Sequence, residues 1–149
     1  MLGSHNSVKS LSEILESSVD KKYFVNDAIK SSRIARMKKE IAKPYITHEN
    51  VGGSITPHHF SCALRAGASA NYLLVNNERR LSEREMLRLQ GFPESYKVVV
   101  PYSAFKKQIG NSVAVPVIEA VAKEMLKALN NFSKKQRSKN TQSAHIKAV

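Results

Sequence analysis

Apolar side chains recur at helical spacing toward both ends of the chain and lose that spacing in the middle. Leu11, Ile14 and Leu15 suit one short helical turn. Asn26 can cap a longer helix through about Ile41, with Ile34, Met37 and Ile41 on one face and basic residues on the other. Pro44 closes it, because proline bars helix at its own position and disfavours it one residue earlier. Across residues 45–77 the helical period disappears, and Gly52-Gly53, Pro57, Gly67 and Asn76-Asn77 punctuate short β-leaning runs at 59–64 and 72–75. From Leu81 the period returns: Ser82 and Glu85 form a capping box, Leu81 and Met86 a hydrophobic staple, and Gly91 a left-handed stop before Pro93. A last helix begins at Pro116 and places Ile118, Val121, Ala122, Met125, Leu126 and Leu129 along one stripe.

This order of elements predicts an α+β fold. Residues 11–100 form a small, loop-rich β domain with flanking helices, and 101–132 a turn and C-terminal helix. Residues 133–149 are polar, basic and unpatterned and read as a disordered tail. The polar opening, residues 1–10, reads as a disordered start or a cloning remnant. At 149 residues the chain matches one domain or a piece of one.

Charge narrows the class of partner. Against 12 Asp and Glu there are 24 Lys and Arg, a formal net charge of +12, so the long-range field attracts polyanions, nucleic acid first among them. Eight of the basic residues fall within 21–43, beside two acids. The lone Cys62 allows no intrachain disulfide, and no His/Cys spacing suits zinc, which points to a reducing, cytoplasmic setting. No run approaches about 18 apolar residues, so no membrane span is expected.

Two blocks carry the sharper signal: "RRLSEREMLRLQGFPESY" (79–96) and, eight residues on, "FKKQIGNSVAVPVIEAVAKEM" (105–125). In order, spacing and content they resemble the ninth and tenth conserved motifs of the DNA cytosine-5 methyltransferases. "LSEILESSVDKKY" (11–23) is similar to the stretch just after that family's eighth motif, and 52–75 sits where the family keeps its target-recognition region. The Thr-Leu pair common there is replaced by Ala63-Leu64. The family's Pro-Cys nucleophile and its Gly-rich cofactor loop have no counterpart in this chain, and Cys62, which follows Ser61, reads as a small apolar residue. Glu49-Asn50-Val51 matches the family's catalytic tripeptide in letters but stands on the wrong side of the eighth motif, so a loop role is expected.

The resemblance implies the small, target-recognition subunit of a split enzyme, acting on double-stranded DNA. A larger polypeptide would carry the first eight motifs, and the C-terminal helix would pack on its α/β methyltransferase domain. It implies no catalytic residue here and no activity alone, with a non-catalytic DNA-binding module or a truncated remnant as the alternative. Asn111, Ser112 and Val113 would face S-adenosylmethionine, shared with the partner chain, as donors ahead of a helix start. Read without the resemblance, they are a plain helix cap. Gln108 and Asn111 would bridge the catalytic and recognition parts. Arg80, Arg84, Glu85 and Arg88 would scaffold the recognition domain, or else form a solvated helix face. Arg65 is placed to read guanine through O6 and N7, or is an exposed loop arginine, while Gly67, Ser69 and Asn71 would bring backbone close to the bases. The basic helix (Lys30, Arg33, Arg36, Lys38, Lys39) meets phosphates or keeps the surface wet, and His58 and His59 stand between the same two roles.

Overall fold

The computed structural model describes the backbone of residues 9–146 and the side chains of residues 9–133, so the expectation for residues 1–8 lies outside the described residues. The chain divides into two compact units, one ending at Ser112 and the other beginning at Val113.

The first unit is a mixture of short helices and a three-stranded antiparallel sheet. Its elements are α1 (Leu11–Ile14), a 3₁₀ turn (Lys21–Tyr23), α2 (Asp27–Arg36), β1 (Ile46–Glu49), β2 (Ile55–His58), β3 (Leu73–Val75), α3 (Glu83–Leu89) and α4 (Tyr102–Asn111). The sheet order is β2-β1-β3, with Ile46 opposite both His58 and Val75. Gly53, at φ +77°, closes the β1–β2 hairpin, where Asn50 Oδ1 accepts from Ser54 N at 2.9 Å. One apolar cluster joins Leu11, Ile46, Leu73, Val75, Leu81, Met86, Leu87, Phe105 and Ile109.

On the other side of β1 the packing is polar. Arg33 on α2, only 1% exposed, donates to Glu49 Oε2 at 2.8 Å, to Asn71 O at 2.8 Å and to Thr47 Oγ1 at 3.0 Å. Thr47 in turn donates to Asn77 Oδ1 at 2.7 Å. A buried guanidinium with these acceptors holds α2 to the sheet, since a buried charge is tolerated only when paired and hydrogen-bonded. Arg33 is therefore not a phosphate contact. Arg36 pairs with the same Glu49, and Lys30 lies 3.6 Å from Glu78.

The local signals for α3 hold to the residue. Ser82 Oγ accepts from Glu85 N at 3.1 Å, and Glu85 Oε2 accepts from Ser82 N at 2.8 Å. At the far end Gly91 takes φ +77°, with Gly91 N bonded to Arg88 O and Phe92 N to Leu87 O. That is a Schellman close, which spends the last helical carbonyls on the chain's own amides.

Elsewhere the structure departs from the pattern. Asn26 caps α2 through Ile29 N, yet the helix ends at Arg36, because Met37 leaves it to bridge Ile55. Strands form at 46–49 and 55–58, while 59–64 is loop. α4 appears where a turn was expected, burying Phe105 and Ile109.

The second unit holds α5 (Val115–Ile146), so the backbone of residues 133–146, expected as a disordered tail, continues the helix, and residues 147–149 lie outside the described residues. Along α5, Val117, Ile118, Val121, Met125, Leu126 and Leu129 each have half or more of their surface exposed. No described helix is long and apolar enough to cross a membrane.

Candidate nucleic-acid interface

The crossing from β2 to β3 carries the residues singled out for DNA contact, and its shape is set by Tyr72. The Tyr72 hydroxyl accepts from Arg65 N at 2.9 Å and donates to Ala63 O at 3.2 Å, which pulls residues 63–72 into a closed loop. The Arg65 guanidinium lies over the same ring, 5.3 Å from its centroid, and Lys106 Nζ lies 5.5 Å from it. Such cation–π contacts hold a long side chain in one orientation while leaving its donors free. Burial first, and then the charge of Arg65, lowers the pKa of both His48 and Lys106. His48, set edge-on to Tyr72 at 6.4 Å, is thus kept neutral beside the arginine.

Arg65, Gly67 and Ser69 line one open groove of about 440 Å³, whose far wall is Glu49, Asn50 and Val51 of the hairpin. Asn71 does not line that groove. Its side chain accepts from Arg80 Nε at 2.9 Å and its carbonyl from Arg33, so it holds the loop from behind. The Glu49-Asn50-Val51 tripeptide forms the strand end and hairpin turn, with Glu49 spent on Arg33 and Arg36. His58 ends β2 with its ring 4.7 Å from the exposed Phe60, and His59 Nδ1 lies 3.0 Å from Pro44 O.

The arginine-rich block surrounds Glu85. That carboxylate is fully buried and takes Arg79 in a two-pronged pair at 2.8 and 2.7 Å, together with Ser82 N and Glu16 N at 2.8 and 2.9 Å. The partner is Arg79, which the sequence reading passes over in favour of its neighbour Arg80. An arginine doublet six residues before a capping-box glutamate is the available signal, but it does not say which arginine turns inward. Arg88 donates to Ile14 O at 3.1 Å and pairs with Glu94, and Arg84 donates to Tyr96 O at 2.9 Å.

The proposed cofactor residues sit differently from the turn pictured in the sequence. Asn111 is the last residue of α4 and exposed. Ser112 is the C-cap, its N–H and hydroxyl both bonded to Ile109 O, at 3.3 and 2.8 Å. Val113 opens the second unit and is exposed. Ser112 therefore offers an acceptor rather than a free donor, and Asn111 supplies the accessible amide. Gln108 is exposed on α4. Cys62 is half-buried, and burial pushes its thiol pKa up, opposite to what a thiolate nucleophile requires.

Three residues missed in the sequence organise this site: Tyr72, Lys106 and Gly110. A Cβ at Gly110 would lie 2.3 Å from Ala66 N and 2.6 Å from Arg65 C. The backbone of the loop thus rests directly on α4 where a side chain would otherwise stand.

Residues 3–127 match the model of the family described as C-5 cytosine-specific DNA methylase. Among relatives, the Type II methyltransferase M.NgoBI of Neisseria gonorrhoeae is 52% identical over 120 residues, 79% of this chain and 38% of that protein. M.HaeII of Haemophilus aegyptius, also a Type II methyltransferase, is 46% identical over 129 residues, 85% of this chain and 41% of that protein. The chain thus spans about two fifths of the length of these relatives, in their C-terminal part. The fold is shared with the Dnmt2 methyltransferase of S. pombe, at a TM-score of 0.52 and 21% identity, over 84% of this chain and 44% of that one. The chain belongs to the C-5 cytosine-specific DNA methylase family and represents the C-terminal part of its members.

Proposed function

We propose that this chain is the target-recognition subunit of a split DNA cytosine-5 methyltransferase, supplying base recognition and one edge of the S-adenosylmethionine site. A larger polypeptide supplies the nucleophile and the rest of the cofactor pocket. The observation that carries the proposal is the apolar stripe of α5, six large side chains along one face of a helix whose own unit has no other described element to bury them. Contiguous exposed apolar surface marks a docking face. The chain matches only about two fifths of its relatives, and the remaining part of such a protein is the occupant proposed for that face.

Within that reading, Arg65 faces the major groove with its backbone and guanidinium both held by Tyr72, so little side-chain entropy is lost when it meets guanine O6 and N7. Gly67 and Ser69 lie beside it, and Asn71 supports the loop. Asn111 offers its amide, Ser112 an acceptor and Val113 an apolar contact to S-adenosylmethionine, which when bound supplies the methyl group. The net charge of +12 gives phosphate affinity that falls steeply with salt and carries no sequence information.

Arg65→Ala is expected to lower discrimination between cognate and altered duplexes by about 1–3 kcal/mol, roughly 5- to 150-fold, while binding to random DNA changes little. Competition band-shifts on the reconstituted enzyme measure both quantities. Equal losses on both would assign Arg65 to phosphate instead. If the chain proves a non-catalytic binding module, the same selectivity would appear without any dependence on a second polypeptide.

A further inference from the structure

The loop that bears Arg65 is fastened to α4 at separate points. The missing side chain of Gly110 admits the Arg65–Ala66 backbone at distances no Cβ tolerates, 2.3 Å to Ala66 N and 2.7 Å to Ala66 Cα. Four residues earlier on the same helix, Lys106 Nζ donates to Ala68 O and lies over the Tyr72 ring. The space left under the loop, lined by Leu64, Arg65 and Ala70 above and Lys106 and Ile109 below, amounts to about 10 Å³, at the limit for a single water. Glycine costs about 1 kcal/mol in a helix relative to alanine, and here the close approach accounts for it.

We propose that Gly110 and Lys106 are positioning residues: together they set the height and register of loop 63–70 on α4 and so aim Arg65. The proposal rests on the recognition role argued above. Because the clash at residue 110 is with backbone, no rotamer change of a neighbour relieves it, and any larger residue must lift the loop. Asn111 follows Gly110 directly, so the helix turn that seats the loop also leads into the residues assigned to the cofactor.

Hydrogen exchange on the full chain tests this, with Gly110→Ala, Lys106→Met and, as a control for general destabilisation, Leu87→Ala. Gly110→Ala should speed exchange of amides in 63–70 by about tenfold or more, and Lys106→Met by less, with β1 and α3 unchanged; Leu87→Ala should speed exchange throughout. In the reconstituted enzyme, Gly110→Ala should cut preference for the cognate duplex about tenfold while random-DNA affinity stays within about twofold, a split that mere loss of structure does not produce. Should Gly110→Ala fail to fold, Lys106→Met carries the same comparison. Unchanged exchange in 63–70 in both variants overturns the proposal. Faster exchange there with an unaltered preference leaves the clamp standing but overturns its role in aiming Arg65, while the recognition role of the loop itself is overturned only by equal losses in Arg65→Ala.

Discussion

Replacing Glu85 with alanine is expected to lower the stability of the chain by about 3–5 kcal/mol. The carboxylate is fully buried and accepts four hydrogen bonds, two from Arg79 and one each from Ser82 N and Glu16 N. Alanine would leave Arg79, itself only 8% exposed, without a counter-charge, and would remove the carboxylate half of the α3 capping box, leaving Ser82 N without its acceptor while Ser82 Oγ still caps the helix. A small domain holds only about 5–15 kcal/mol in total, so the variant should be near the edge of folding at ordinary temperature. Urea denaturation reads the difference, and Glu85→Gln should fall between the two because it keeps some acceptors and loses the charge. A cost below about 1 kcal/mol would mean that water reaches the pair and that the arginine block is surface rather than framework.

A comparable effect is expected on assembly rather than stability. Val121 and Met125 lie one turn apart in the α5 stripe, and both are half exposed or more. Burial of each is worth about 1.5–3 kcal/mol, so Val121→Asp with Met125→Asp should weaken docking of the catalytic part by about a hundredfold or more, before the cost of desolvating two carboxylates. Titration of the larger polypeptide in the analytical ultracentrifuge checks this, with circular dichroism to show that the helix persists. Unchanged affinity would remove α5 from the interface and with it the observation on which the split-enzyme reading stands.

The parts of the fold legible in the sequence are those governed by neighbours a few residues apart. Ser82, Glu85, Gly91 and the stripe of α5 are local grammar, and they appear in the structure where the pattern puts them. The sheet is not local. β1 shows no apolar alternation because one of its faces packs on a helix through Arg33, Thr47 and Glu49 instead of through hydrocarbon. β2 holds Pro57, which reads as a break but is accommodated on an edge strand of the order β2-β1-β3. α4 was hidden by Gly110, a helix-weakening residue whose reason is the loop backbone 44 positions earlier in the chain. The same holds within the site. The framework role of Glu85 is visible in the motif, but Tyr72, Lys106 and the inward arginine are selected by contacts that form only once the chain has folded.

Methyl transfer from labelled S-adenosylmethionine to duplex DNA is the most direct test of a split enzyme, measured for this chain alone, for the portion of M.NgoBI preceding its similar region alone, and for the two together. Transfer should be absent from either component and appear in the mixture, at one short sequence. Transfer by this chain alone, or none from the mixture, would contradict the split-enzyme reading.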